Sequence, residues 1–270
     1  MDRNERRERL TEIFEDTRDF VWGDSRRSED VKRKRRASKL YKEESEVVLG
    51  EPAGKGELVF NEKRSFEAAM PYAAKGMKVA VHNFASAYAP GGGVRHGAGA
   101  QEECLCRCSD LYMILTAGYF RRNFYDIGRE RNNPLNTDIC IYTPDVLVFR
   151  TDTDFPEMMP EDDWYNVDVI TCAAPNLKNL DEKLPDEELI EVYRKRYDAV
   201  FRAAADNKAE VVVTGAFGCG AYRNDPYLVS EGARLSLETY GRYFEKIVFA
   251  IYGRGGENRN YDIFKGTPEE

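Results

Sequence analysis

The residues with the most chemical content are a glycine triplet, Gly91-Gly92-Gly93, and a run of acids that begins eight residues later, Gln101-Glu102-Glu103. Glycines in sequence let a backbone take positive φ and approach a ligand with no Cβ in the way. Consecutive N–H groups in such a loop can form an anion-binding concavity. The triplet alone would also suit a flexible surface loop, and neither common nucleotide fingerprint fits. There is no Gly-x-x-x-x-Gly-Lys-Ser/Thr, and GGGVRHGAG leads into acids rather than a strand with a distal Asp. The acids carry the argument further. They open a predicted helix, where the positive end of the dipole stabilises them. Two carboxylates directly behind an anion-type loop nonetheless oppose an anionic ligand, and a role in stability alone leaves that cost unexplained. A carboxyl in that place suits proton donation, its affinity for the proton raised by its neighbour and a bound anion and lowered by the dipole. Successive helical residues point about 100° apart, so one of the pair faces a given bond squarely.

A second glycine loop, VVVTGAFGCGAYRNDP, spans residues 211–226. Gly215, Gly218 and Gly220 permit close backbone approach, with Ala216, Phe217 and Cys219 between them. An aromatic ring on such a loop either folds into the core or stacks on a ligand; glycine on both sides favours the ligand. Cys219 is the thiol best placed for modification, and Tyr222 could close over a ligand or join the core. Asn224-Asp225-Pro226 then starts the next helix. His96 reads as a solvated loop residue and His82 as a structural one inside a strand. Cys104 and Cys108 share a helical face, which without clustered histidines reads as packing rather than a metal site.

Both loops need a scaffold that brings them together. GELVF, KVAVHNFAS, DVLVF, VDVITCAA, EVVVTGAFG and KIVFAIYG are short runs rich in Val and Ile, bounded by turn residues, as is SEVVLG at residues 45–50. Several are continuously apolar, as strands covered on both faces are. Helical patterns lie between them: KRSFEAAMPYAAKG, kinked or split by Pro71; QEECLCRCSDLYMILTAGYF; PDEELIEVYRKRYDAVFRAAADN; and NDPYLVSEGARLSLETYGRYF. Alternating strands and helices predict an α/β layered domain over 45–270. Each glycine loop follows a strand, where ligands bind in open α/β sheets. Residues 1–44 read as an N-terminal helical extension, with Leu10, Ile13, Phe14 and Phe20 near helical spacing and a basic stretch at 26–42.

The 270 residues are enough for a sizeable core. A formal charge of −8 argues against a surface that holds DNA along its length, though backbone amides can still bind a compact anion. No apolar run approaches the roughly 18 residues that cross a bilayer, and MDRNERRERL lacks the apolar centre of a secretory signal. Six cysteines are too few for a disulfide scaffold. A soluble, cytoplasmic protein without membrane or direct DNA contacts is expected.

Asn83-Phe84-Ala85-Ser86-Ala87, Pro90-Gly91-Gly92-Gly93 and, seven residues on, Gln101-Glu102-Glu103 resemble the signature of poly(ADP-ribose) glycohydrolases. Gly215-Ala216-Phe217-Gly218-Cys219-Gly220 with Asn224-Asp225-Pro226 resembles the second ligand loop of the microbial branch, as do TPDVLVFR and VITCAAPN. The resemblance implies a macrodomain-like mixed β-sheet sandwiched between helices. It implies release of ADP-ribose from the ends of poly(ADP-ribose) by hydrolysis of ribose–ribose O-glycosidic bonds, without metal or cofactor. The alternatives are an ADP-ribose-binding macrodomain that does not cleave, or a hydrolase of another ADP-ribosyl linkage. Glu103 would protonate the leaving oxygen and then activate water, and Glu102 would hold ribose hydroxyls. Gly92, Gly93 and the Ala216–Gly220 backbone would cradle the diphosphate. Phe217 would lie against the distal ribose, and Asn83 would position that ribose. Partners would be ADP-ribose, its polymer and ADP-ribosylated proteins. Ala89 and Gly99 depart from the pattern, where relatives often have Asn and some have Arg; this bears on affinity more than on chemistry.

Overall fold

In the computed structural model, residues 1–43, 45–180, 182–253 and 255–266 are described. The chain opens with α1 (Arg3–Trp22), started by an Asp2–Glu5 capping box, and α2 (Ser25–Ala37), capped by Asp24. Then come β1 (Lys39–Tyr41), β2 (Glu57–Asn61), α3 (Ser65–Ala73) and β3 (Val79–Ala85). They are followed by α4 (Gln101–Cys108), α5 (Leu111–Leu115), α6 (Gly118–Phe120), a π-helical turn (Arg121–Tyr125) and α7 (Asp126–Arg131). The rest is β4 (Cys140–Val148), β5 (Tyr165–Ala173), α8 (Asp186–Asp206), β6 (Val211–Thr214), α9 (Pro226–Tyr240), β7 (Lys246–Ala250) and α10 (Arg259–Lys265).

The strands form one mixed sheet in the order β1-β4-β5-β3-β6-β7-β2. β5, β3, β6, β7 and β2 run parallel, while β4 is antiparallel to both β5 and β1. The strands are apolar on both faces because both faces are covered. Val79, Val81, Val169, Val211, Val213 and Val248 join the core under α1, α3, α4 and α5. Ala80, Ile170, Val212, Ile247 and Phe249 join the core under α8 and α9. This period-two alternation sends one strand's side chains into two separate cores, as the mixed sheet between helices requires.

Several local expectations change. The segment 45–50 forms no strand: Val48 is almost fully exposed and the run makes no ladder, whereas Lys39–Tyr41, inside the expected extension, pairs with β4. Glu44, the last residue assigned to that extension, lies outside the described residues. β4 starts at Cys140, earlier than its apolar run, because an irregularity between Thr143 and Val146 absorbs Pro144 and places Asp145 at φ 56°. Pro71 sits within α3 without ending it. The single helix expected over 101–120 breaks at Ser109, which turns extended and bridges to Val148. Among the described residues no helix is long and apolar enough to cross a membrane.

A buried ion pair ties the N-terminal helices to this break. Lys34 of α2, 1% exposed, places Nζ 2.6 Å from Asp110 Oδ2 and 2.7 Å from Asp30 Oδ2. Asp110 Oδ1 accepts the Leu147 amide at 3.0 Å. Removing Asp110 leaves the buried ammonium with only the half-buried Asp30. Asp110→Ala is therefore expected to lower stability by about 3 kcal/mol, read as a lower urea midpoint with unchanged slope.

Candidate active site

A cleft of about 720 Å³ opens over the carboxyl ends of the parallel strands. Its wall takes Lys63–Ser65 after β2, Ser86 after β3, Ala174 after β5, Ala216, Gly218 and Gly220–Tyr222 after β6 and Tyr252 after β7. The N-terminus of α4, from Gly99 to Cys104, forms the facing lip. The two glycine loops thus meet across one cavity.

The acid pair is held by the glycine loop itself. Gly91 N–H donates to Glu102 Oε1 at 3.1 Å, and Gly93 N–H donates to Glu103 Oε1 at 2.9 Å. Ser86 N–H donates to Glu102 Oε2 at 2.7 Å. The Gly92 amide closes a turn onto Ala89 C=O. Gly92 has φ 54°, and a Cβ there would lie 2.7 Å from Glu103 Oε1 and 3.1 Å from Glu102 Oε2. The concavity that the triplet promises for an external anion is filled by the protein's own carboxyls. The expectation that Gly92 and Gly93 cradle a diphosphate through their amides is corrected accordingly: those donors are already used.

The second loop has free donors. The amides of Ala216, Gly218, Gly220, Ala221 and Tyr222 have no acceptor among the described residues, and all five positions line the cleft. Gly218, at φ 80°, leaves no room for a side chain against the Asn224 amide. Asn224 Nδ2 in turn donates to Pro175 C=O at 3.0 Å, which fixes the loop's shape. Gly215 stays out of the cleft, packed against Ala250 C=O with its own carbonyl accepting Tyr197 O–H at 2.8 Å.

Phe217 is the clearest correction. It is fully buried, its ring 4.3 Å from His82 and 5.3 Å from Phe84. The ring is turned inward beneath the cleft and is not among the residues that line it, contrary to the expected exposure toward a ligand. Asn83 is also fully buried and bonds to Thr171 Oγ1 (3.1 Å) and Glu102 Oε1 (3.5 Å), so it orients Glu102 rather than lining the cavity. Gln101 does both: it lines the cleft and clamps α4 to β3 through His82 C=O (2.7 Å) and the Phe84 amide (2.8 Å). Tyr222 is on the wall. Cys219 is not, and burial pushes its thiol up to about 12, which leaves little thiolate for modification. His96 is exposed, whereas burial pushes His82 down to about 3 and keeps its ring neutral.

Burial pushes Glu102 up to about 8; the Ser86 amide opposes this, and the negative charge of Glu103 adds to it. Glu103 is 7% exposed, and its Oε2 has no hydrogen-bond partner among the described residues. The sequence reading missed Lys63, Arg64, Ser65, Asp152 and Tyr252. The Arg64 guanidinium lies 4.0 Å over the Tyr252 ring and pairs with Asp154. Burial raises Asp152 to about 6, opposed by the Phe66 amide and by Arg64. A cation pair directly after a strand, KRS at 63–65, was the available signal.

The family model for the microbial-type PARG catalytic domain matches residues 23–151, which hold the triplet and both acids but not the second loop. Poly(ADP-ribose) glycohydrolase from Deinococcus radiodurans, solved with ADP-ribose, is 31% identical; the alignment covers 88% of this chain and 96% of that one, with a TM-score of 0.74. This chain belongs to the microbial-type poly(ADP-ribose) glycohydrolase family. The enzyme from Thermomonospora curvata aligns over 96% of this chain and 98% of its own at 29% identity, with a TM-score of 0.82. A second structure of it, bound to the inhibitor ADP-HPD, aligns equally well, with a TM-score of 0.82 and 29% identity over 95% and 98% of the two chains. No curated protein sequence matches significantly. Membership of this glycohydrolase family fits a cleft with carboxyls at one lip and unpaired amides at the other.

The raised Glu102 sets a pH dependence. Unfolded, this carboxyl ionises near 4.5, and folded it holds its proton to about 8. Its contribution is fully present below the lower value and is lost as pH rises through the upper one. The stability of the wild type minus that of Glu102→Gln should fall between about pH 5 and pH 8. A difference that stays flat over that range would contradict the assignment.

Proposed function

We propose that the protein hydrolyses the ribose–ribose O-glycosidic bond of poly(ADP-ribose) and releases ADP-ribose from chain ends. The observation that carries this reading is the division of labour between the two lips: one holds carboxyls on its own amides, and the other keeps its amides unpaired. A diphosphate bound to the amides of Gly218, Gly220, Ala221 and Tyr222 gains hydrogen bonds without displacing any. The N-terminus of α4, which lines the cleft, adds a favourable partial charge. The distal ribose then lies against the acid pair.

Glu102 accepts from backbone amides on both oxygens and so is fixed in place; its role is to hold ribose hydroxyls. Glu103 is anchored through Oε1 alone, and its unpartnered Oε2 is the oxygen placed to pass a proton. As the bond from the anomeric carbon to the bridging oxygen breaks, its electron pair stays on that oxygen, which takes the proton of Glu103. The ribose passes through an oxocarbenium-like state. Water then forms the new bond at the anomeric carbon and returns a proton to Glu103, so the enzyme ends as it began. The raised Glu102 supports this cycle, because its burial keeps a proton within the acid pair near neutral pH. ADP-ribosylated proteins that carry such chains are the further partners of this reading.

With labelled polymer, Glu103→Gln is expected to release ADP-ribose about a hundredfold to ten-thousandfold more slowly while still binding ADP-ribose in calorimetry. Full activity of that variant removes the general-acid role. Binding of polymer by the wild type without any product would favour a reader module instead. Gly92→Ala tests the glycine requirement separately. Its Cβ must displace both carboxyls, so release should fall about a hundredfold with the fold retained by circular dichroism.

A further inference from the structure

Arg107 is 1% exposed, yet it forms no ion pair with a carboxylate among the described residues. Its partners are carbonyls: Nε donates to Leu10 C=O of α1 at 3.2 Å, and Nη2 donates to Ala98 C=O of the glycine loop. Its own carbonyl accepts Thr17 Oγ1–H of α1 at 2.7 Å. A guanidinium with only neutral partners is a costly occupant for an interior position, which an apolar side chain would fill more stably. Stabilising the helix dipole does not account for it. Arg107 lies in the last turn of α4, but helical side chains lean toward the N-terminus. The guanidinium runs back over the turn that carries Glu103, one helical turn earlier, and reaches residues ahead of the helix rather than its C-terminal carbonyls.

Two of these segments, α1 and the glycine loop, meet again at Gly97. It has φ 66°, and a Cβ there would collide with Arg7 C=O, so α1 packs directly onto the glycine loop. Asp16 of α1 pairs with Arg150, two residues before the cleft residue Asp152. All of α1 lies outside residues 23–151, the part matched by the family model.

We propose that Arg107 is a positioning residue for the reaction. It fastens the glycine loop and α1 to the helix bearing Glu102 and Glu103, and it keeps a fixed positive charge behind Glu103 while that carboxyl is anionic. The inference rests on the glycohydrolase reading above for its catalytic part. Its positional part stands on the contacts alone. Loss of the guanidinium frees Ala98 and with it the Gly91 and Gly93 amides that register the acids. Lysine at this position keeps the charge but cannot bridge two carbonyls in the same plane.

The test compares Arg107→Met, Arg107→Lys and Gly97→Ala with the wild type, each well below its own melting temperature. In Arg107→Met, kcat on polymer should fall about tenfold or more while the Kd for ADP-ribose stays within about threefold. The pH at which kcat declines should rise by about half a unit in that variant, because a positive charge that favours the ionised acid pair is gone, and should stay in place in Arg107→Lys. Gly97→Ala should lower kcat without moving that decline. Hydrogen exchange at the Gly91 and Gly93 amides should speed up in Arg107→Met and Gly97→Ala whether or not polymer is cleaved. Wild-type kcat and pH profile in Arg107→Met overturn the catalytic part, and unchanged amide exchange overturns the positional part. Should Arg107→Met fail to fold, the same readings on Arg107→Lys and Gly97→Ala decide: unchanged kcat and exchange in both overturn the proposal. A wild type that releases no ADP-ribose overturns the glycohydrolase reading and leaves the exchange measurement to judge the positional claim.

Discussion

Two carboxyl groups held on the amides of a glycine turn are the constraint around which the cleft is arranged. A pair of acids buried side by side repel when ionised and lose hydration, and each oxygen needs a donor. The turn supplies donors from Gly91 and Gly93, and Ser86 supplies a third. Glycine is required at position 92 because the space a Cβ would take belongs to the carboxyl oxygens. One oxygen, Glu103 Oε2, is left without a partner among the described residues, and the proposed proton transfer uses that oxygen.

The rest of the fold keeps that arrangement still. Gln101 fastens α4 to the end of β3, Asn83 braces Glu102 from within the sheet, and α1 backs the loop through Gly97 and Arg107. On the opposite lip, Phe217 turns inward against His82 and Phe84 and sets the floor under the unpaired amides. Ligand binding at that lip asks for little rearrangement, which suits a site whose acids must be registered to within fractions of an ångström.

Much of this was legible in the sequence, for identifiable reasons. Continuous Val-rich runs marked strands covered on both faces, and two glycine loops after strands marked the cleft. The pairing that escaped was of a different kind. Whether an amide faces a ligand or a neighbouring carboxyl depends on how the chain folds back over ten residues, so GGG read as an anion site when its anion was already in the chain. Phe217 was misplaced because glycine on either side permits an inward as well as an outward ring. Val47 and Val48 looked like a strand but make no ladder, while the short run Lys39–Tyr41 took the β4 edge. Tyr252 carries no pattern of its own, and Lys63 and Arg64 only that of a cation pair after a strand; they join the site because β2 and β7 end beside it.

A crystal structure with ADP-ribose would probe the central assertion most directly. Diphosphate oxygens on the amides of Gly218, Gly220, Ala221 and Tyr222, with Gly91 and Gly93 still donating to Glu102 and Glu103 and the distal ribose beside Glu103 Oε2, is the arrangement the account predicts. A diphosphate seated on the Gly91–Gly93 amides, with the two carboxyls swung away, would contradict it.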